Sequence, residues 1–422
     1  MAVISDTRSA LTSACAVVRE GLAADAVAGI VPAYVASPAS TSEAAALMRA
    51  ASAHDLAVVP RGAGTGFGWG LPGSRCDLVV DMQAMDQVLE HAAGDLVARV
   101  QAGVTLGQLS SVLGMAGQQL ALDAPAEATV GGVVSTGTAG PRRFRYGAPR
   151  DLLIGITAVR ADGVIARSGG KVVKNVAGYD IGKLLAGSQG TLALITEATF
   201  RLHPVPPSAA WVTAEFGPLG RAAAAAGVAA AAGSALVPSA VELDWSGSML
   251  RMGVLLEGTA AGVAERVKQM SSVLASLGAS LTVAVADVPV RWWDQVPASG
   301  SPAVVVRVTF WVSALGEVLE AIAASGSDAE VRPAVSGPAG AGMLYACLDP
   351  GTEAAAAARF VATLRERVAG PRGGVVVLAA PPAVLEAVEA YRNVPGAALM
   401  RAVKDQFDPG NRMFPGRMAG VI

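Results

Sequence analysis

The sequence predicts an α+β protein built from two regions of different texture. Up to about residue 205, short apolar runs alternate with glycine-rich turns, the punctuation of many short strands. From Trp211 onward, longer alanine-rich helical stretches stand between strands, an order that fits an antiparallel sheet with helices on one face. Pro204, Pro206 and Pro207 fall between the two textures. The expected division is residues 1–208, residues 209–395, and a C-terminal segment 396–422 that packs back on the first region. A chain of 422 residues has ample material for two such cores.

Each element has its own signal. "SPASTSEAAALMRAASAHD" reads as a helix, with Ser40 and Glu43 spaced as a capping box. "LAVVPRG" follows as a strand, and "CDLVVDM" and "DLVARVQAG" are β-rich runs bounded by turn residues. "TLGQLSSVLGMAG" is a short helix, and "DLLIGITAVRADGVIARSGG" is a hairpin turned at Asp162 and Gly163. "GTLALITEATFRLHPVP" is a strand closed by prolines. In the second region "AVELDW", "MLRMGVLLEG" and "SLTVAVAD" are strands around the helix "AAGVAERVKQMSSVLASLG". A comparable set follows from "AVVVRVTFWV" to "GVVVLAA", so this region holds two similar α+β halves. The tail "AVKDQFDPGNRMFPGRM" starts as a helix and ends in a proline-bounded turn.

Composition removes several classes of function. Hydrophobic residues make up 52% of the chain, charged residues 16%, and the formal net charge is −2. No polybasic stretch marks a nucleic-acid surface. The longest weakly polar run, Ala222 to Val237, is mostly alanine and glycine and falls short of the roughly 20 strongly apolar residues of a membrane span. It reads as a soluble helix. The N-terminus lacks a basic start followed by an apolar run, so a cytoplasmic chain is expected. Cys15, Cys76 and Cys347 are far apart, excluding a cysteine-held cluster and favouring buried free thiols. The histidines are His54, His91 and His203.

The stretch "VVPRGAGTGFGWG" places glycine at every second position from 62 to 70. Glycine loses the most conformational freedom on folding, so such a run implies a close approach to the backbone. The dinucleotide fingerprint fails because residue 67 is Phe and no helix pattern follows; the Gly-Lys-Ser/Thr of a P-loop is absent. What remains is a backbone nest for an anion, with Arg61 a cation at its entrance and Thr65 a hydroxyl donor, or a hairpin that binds nothing. Two further small-residue stretches, "APAEATVGGVVSTGTAG" and "GSQGTLALITEATF", suit one large ligand lying across the region. The former has little with which to build a core.

These three segments in this order resemble the FAD-binding domain of the vanillyl-alcohol-oxidase/PCMH superfamily. "GGKVVKNVAGYDIGKLLAGS" and "FDPGNRMFPGR" narrow the resemblance to the FAD-binding subunit of bacterial glycolate oxidases. The resemblance implies a PCMH-type two-subdomain FAD-binding domain plus a smaller α+β, ferredoxin-like cap. It implies that Arg61, Gly62, Ala63, Gly64, Thr65 and Gly66 wrap the FAD pyrophosphate. Pro125, Thr129, Gly131 and Gly132 would line the isoalloxazine and ribityl side. Thr136, Gly137, Thr138 and Ala139 would follow the chain toward the phosphates, and Gly190, Thr191 and Ile195 would add contacts to the flavin or adenine.

Two departures from the family pattern shape the functional expectation. Many relatives attach FAD through a histidine or cysteine in the first loop, whereas "GTGFGWG" has neither, so noncovalent FAD is expected. Relatives that oxidise 2-hydroxy acids carry cap histidines as base or metal ligand, yet no histidine follows His203. No catalytic residue and no metal set are therefore assigned. The resemblance implies a subunit that holds FAD beside a sister FAD-linked catalytic subunit and an iron–sulfur subunit, acting on a small 2-hydroxy acid. It would have no span of its own and reach the inner membrane face only through partners. Two alternatives stay open: a self-sufficient oxidoreductase using Tyr179 or a cap carboxylate as base, and a flavoprotein of purely structural role. Lys171 and Lys174 read as solvated, and Tyr179 as packed in the core. The basic run Arg142, Arg143, Arg145 and Arg150 reads as a partner contact, an acidic-substrate entrance or a solvated loop.

Overall fold

The structure is a computed structural model that describes residues 2–171, 178–217, 220–277, 282–295, 304–369, 373–388, 390 and 394–418. It divides into two compact units. The first comprises Met1–Ala139, Ala148–Val205 and Asn393–Ile422; the second comprises Gly140–Gly147 and Pro206–Arg392.

In the first unit, strands β1 (Val18–Glu20), β2 (Tyr34–Ala36), β3 (Val58–Arg61) and β4 (Leu78–Asp81) form a sheet of order β1-β2-β4-β3. β4 runs parallel to both β2 and β3. Parallel neighbours are buried on both faces and read as continuous apolar runs, which "VVP" and "LVV" supply. The helix Thr41–Ala53 covers this sheet and buries Leu47 and Met48 among Leu78, Val80 and Val159. Its Ser40 cap forms as expected, accepting from Glu43 N. The Glu43 carboxylate, however, accepts from Ala39 N at 2.8 Å and Ala16 N at 2.6 Å, so it ties the preceding chain to the helix start.

The second sheet of this unit contains β5 (Val88–Ala92), β6 (Val97–Gln101), β8 (Leu153–Arg160), β9 (Ile165–Gly169) and β10 (Ala193–Arg201), with order β5-β6-β10-β8-β9 and antiparallel throughout. The short pair β7 (Gln118–Gln119) and β11 (His203–Pro204) lies beside it in sequence. The β8–β9 hairpin turns where expected, with Gly163 at φ +78°.

One expectation fails here. "ATVGGVVSTGTAG" does build core: Val130–Thr136 is a helix capped by Thr129, and Val130, Val133 and Val134 are buried with Leu109, Ile195 and Phe200.

The second unit holds β12 (Ser208–Phe216), β13 (Ala240–Ser246), β14 (Met249–Gly258), β15 (Thr282–Ala286), β16 (Val304–Phe310), β17 (Ala334–Gly337), β18 (Met343–Leu348) and β19 (Gly373–Ala379). Among the described residues these make one antiparallel sheet of order β15-β12-β14-β13-β17-β18-β16-β19. Each half runs strand, helix, strand, strand, helix, strand, the helices being Arg221–Ala232 and Ala260–Ala275, then Leu315–Ala329 and Ala354–Val368. Within each half the spatial order is fourth, first, third, second, the ferredoxin-like order. The halves meet edge to edge at β13 and β17.

Candidate functional site

β3 ends at Arg61 and delivers the chain into the alternating-glycine loop. A Cβ on Gly62 would collide with Thr129 Oγ1, and one on Gly66 would stand 2.8 Å from Thr136 Cγ2. Glycine at these positions lets the loop lie directly on the helix Val130–Thr136. The close approach is thus partly protein against protein. Gly64 adds a left-handed turn at φ +79°. Among the described residues, none of the N–H groups of Gly62, Ala63, Gly64, Thr65 and Gly66 donates to a protein acceptor. Five successive unpaired amides on a turn supply the donors that an anionic group needs.

The neighbouring helix start differs. Val130 N donates to Val104 O, Gly131 N to Ala102 O and Gly132 N to Thr129 Oγ1. Its amides are spent, so Thr129, Gly131 and Gly132 can supply a wall rather than an anion site. Together with Pro60, Arg61 and Gly62 they line an open cleft. Gly190, just before β10, and Ala193, Leu194 and Ile195 at its start also line it, and Met82, Ala102 and Ser135 complete it. Of the loop residues with unpaired amides, Gly62 lines this largely apolar cleft, while Ala63, Gly64, Thr65 and Gly66 follow it in the chain and lie outside the lining.

The remaining expected residues are placed less directly. Pro125 is exposed and does not line the cleft. Thr136 Oγ1 donates to Gly132 O at 2.8 Å and lies 2.6 Å from Thr138 Oγ1, while Gly137 ends the helix at φ +69°. Ala139 is buried and outside the lining. Thr191 is 1% exposed, its hydroxyl donates to Ser188 O, and its carbonyl accepts from Lys404, so its side chain is held away from a ligand.

Arg61, expected as a cation at the loop's entrance, lines the cleft and is paired. Its guanidinium donates to Asp25 at 3.1 Å and to Asp81 at 2.8 Å, both largely buried. Asp25 also takes both ends of Arg19 and the amide of Leu22. These partners, the Arg19 hydrogen bonds first, hold its carboxyl well below the usual carboxylate range against the opposing pull of burial. Arg61 anchors the loop's root through a carboxylate network, leaving the amides as the anion donors.

The C-terminal segment belongs to the first unit, where the sequence placed it, but the side chains through which it reaches the loop were not among the expected site residues. Lys404 is buried and donates to Asp408 at 2.6 Å, Thr191 O at 2.8 Å and Met413 O at 3.0 Å. Arg417, 3% exposed, reaches the carbonyls of the glycine loop. No periodic pattern in "FPGRM" announces such a contact.

Other candidates are accounted for elsewhere. His54 Nδ1 lies 3.1 Å from Thr7 Oγ1, and His91 Nε2 lies 2.9 Å from Gln118 Oε1. His203 sits in β11, and none of the three lines the cleft. Tyr179 is 93% exposed, so it neither packs in the core nor reaches the cleft. Lys171 pairs with Glu90 at 2.5 Å; Lys174 lies outside the described residues. In the second unit, Arg143 donates to Met343 Sδ, Arg145 to Val237 O, and the Tyr146 hydroxyl to Glu257, so much of the basic run is engaged within that unit. Its buried carboxylates Glu242 and Asp244 are engaged too, by Asp294 N and by Arg251 and Ser246. Among the described residues no group of three or more His, Cys, Asp or Glu is placed to hold a metal. No helix among them is long and apolar enough to cross a membrane.

Comparison with known proteins extends this geometry. Residues 32–169 match a family model described as FAD binding domain. The chain is 37% identical over 182 residues to the glycolate oxidase subunit GlcD of Bacillus subtilis, a match covering 42% of this chain and 38% of that protein. It is 40% identical over 171 residues to a D-lactate dehydrogenase of Archaeoglobus fulgidus, covering 40% of this chain and 38% of that one. The chain thus matches 38% of the length of these curated relatives. Among solved structures, p-cresol methylhydroxylase with substrate bound aligns with TM-score 0.73 at 14% identity, covering 99% of this chain and 97% of that one. The 4-ethylphenol oxidase of Gulosibacter chungangensis aligns with TM-score 0.72 at 15% identity, over 99% and 97%. The fold is that of the PCMH/VAO-type flavoproteins, and FAD is the cofactor of the matched domain.

Proposed function

We propose that this chain is the FAD-holding subunit of an oxidoreductase complex acting on glycolate or a related small 2-hydroxy acid. A sister FAD-linked subunit would carry the hydroxy-acid site, and an iron–sulfur subunit would take electrons onward. The observation that carries the reading is the run of unpaired amides from Gly62 to Gly66 beside an apolar cleft that no imidazole lines. Those amides would hold the FAD diphosphate. Thr129, Gly131 and Gly132 would bear on one side of the flavin, with Gly190 and Ile195 on the other. Bound flavin supplies a two-electron acceptor. The chain's own residues bind it, orient it and keep water from its apolar face.

Attachment is noncovalent in this reading. The first loop has neither His nor Cys. Cys76 is buried, and burial pushes its thiol up to about 11, so it stays protonated and unreactive at neutral pH. The chain lacks an imidazole at the cleft for taking the hydroxyl proton, and Tyr179 stands in solvent. The expected experimental result is a purified chain that binds FAD yet turns glycolate and D-lactate over negligibly until a partner flavoprotein is added. Robust turnover by the chain alone would overturn the subunit assignment. Co-purification with a second flavoprotein and a cluster-bearing protein tests the complex itself.

A further inference from the structure

We infer that Arg417 is a positioning residue for the cofactor loop, and that the C-terminal segment is a clasp whose docking and FAD binding are coupled. The inference rests on the FAD reading above. The segment first extends a sheet: Val58 N donates to Arg412 O at 2.8 Å and Phe414 N to Val58 O at 2.9 Å. Met413 thereby forms a parallel bridge to Val58 on β3, an edge strand of its sheet. β3 runs three residues beyond Val58 and then becomes the glycine loop, so the tail braces the root of that loop.

The clasp then closes over the loop. Phe414 meets Phe67 edge-on, with ring centroids 6.2 Å apart at 89°. It does so at φ +43°, a left-handed conformation costly for a bulky side chain, so the surrounding packing must outweigh that cost. The Arg417 guanidinium lies over the Phe414 ring at 4.9 Å and donates to four loop carbonyls. They are Gly66 O at 3.0 Å, Leu71 O at 3.1 Å, Phe67 O at 3.2 Å, and Trp69 O. Gln189 Oε1, in the residue before cleft residue Gly190, lies 3.4 Å from Nη2, the nitrogen that meets Gly66 O and Trp69 O.

This arrangement has a directional consequence. A peptide whose carbonyl is held on one side presents its amide elsewhere, and a planar guanidinium fixes several such peptides at once. Arg417 gathers the carbonyls of Gly66, Phe67, Trp69 and Leu71 on the tail side, while the amides of residues 62 to 66 have no protein acceptor. The cation sits within the loop that is to receive a diphosphate, and adds a favourable field without touching the ligand. Coupling between two binding events is reciprocal, so FAD must tighten the tail as the tail tightens FAD.

The test uses the full chain with Arg417→Gln and Arg417→Lys. Three readouts are compared: thermal unfolding of the apo form, FAD affinity by flavin fluorescence, and hydrogen exchange over residues 62–71 and 397–418. The expected result is an apo form that still unfolds cooperatively, at a lowered midpoint, and an FAD dissociation constant raised at least about tenfold in Arg417→Gln, with Arg417→Lys between. FAD should slow exchange in the tail of the wild type and not in Arg417→Gln. Folded variants that bind FAD as wild type does would overturn the inference, and so would a wild-type tail whose exchange ignores FAD. Should either variant fail to fold, that wild-type exchange measurement decides alone. A wild type that takes up no FAD would defeat the functional reading instead. In that event faster apo exchange over residues 62–71 in Arg417→Gln still supports the positioning role, and unchanged exchange rejects it.

Discussion

Lys404→Met is the sharpest probe of how the C-terminal segment is held. The ammonium is 6% exposed in its side chain, and Asp408 is 0% exposed. Burial pulls Lys404 below the usual lysine range, with Asp408 pulling the other way. Methionine keeps the volume but removes three donors, leaving Thr191 O and Met413 O without that partner. The Asp408 carboxylate keeps the amides of Arg412 at 3.0 Å and Met413 at 2.7 Å but loses its countercharge. Breaking a buried pair from one side costs about 3–5 kcal/mol. The two surviving amide bonds favour the lower end, about 3 kcal/mol, or roughly a hundredfold in the docking equilibrium. Native-state hydrogen exchange of the Phe414 amide, which bonds to Val58 O, reads that equilibrium directly. The expected loss of protection is roughly a hundredfold, and Lys404→Met/Asp408→Asn should recover part of it, since the uncompensated charge is gone. Loss below about threefold in the single variant would refute the view that this pair anchors the tail.

The other expectations follow from packing and ionisation. A side chain at Gly131 would meet Ala102 Cβ at 2.8 Å and Ala102 O at 3.1 Å, so Gly131→Val should cost about 1–3 kcal/mol in urea unfolding of the first unit; a neutral result would contradict the packing of this helix start. Asp25→Asn removes a carboxylate whose folded pKa is depressed. Its stabilisation is present above the unfolded value near about pH 4 and fades as pH falls toward the folded one. The stability gap between wild type and Asp25→Asn should therefore narrow on acidification below that point, and a gap that widens would refute the assignment. Cys15, Cys76 and Cys347 are buried, with thiols pushed to about 11, about 11 and about 12 chiefly by burial. They should react with an aromatic disulfide reagent only on unfolding, and rapid native labelling would contradict their placement.

Much of the first unit could be read from the chain because local signals agreed with tertiary demands. Continuous apolar runs gave the buried parallel strands, Ser40 gave a cap, and Asp162 and Gly163 gave a hairpin. The helix Val130–Thr136 escaped detection for a physical reason. "VGGVVST" has poor intrinsic helix propensity, and only the Thr129 cap and the burial of three valines make it helical. The pairing of Arg61 was not legible because its partner Asp25 lies 36 residues upstream, beyond any local pattern. Arg417 meets carbonyls some 350 residues earlier in the chain, and Lys404 meets Thr191 213 residues away. Side-chain-to-backbone contacts of that span leave no periodicity. In the second unit the matched halves were legible because each repeats the same strand and helix order. Their joining through β13 and β17 depends on edge pairing and was not.

The central claim is that the amides of Gly62 to Gly66 form a cradle for a diphosphate. Titrating the purified apo chain with FAD, FMN and riboflavin tests it most directly, since all three share the ring, FMN adds one phosphate, and FAD adds the diphosphate with its adenosine. The account predicts noncovalent FAD, released on denaturation and bound at least about a hundredfold more tightly than riboflavin, as two or more charge-assisted hydrogen bonds require. Equal affinity for FAD and riboflavin, or a chain that refuses FAD, would contradict it.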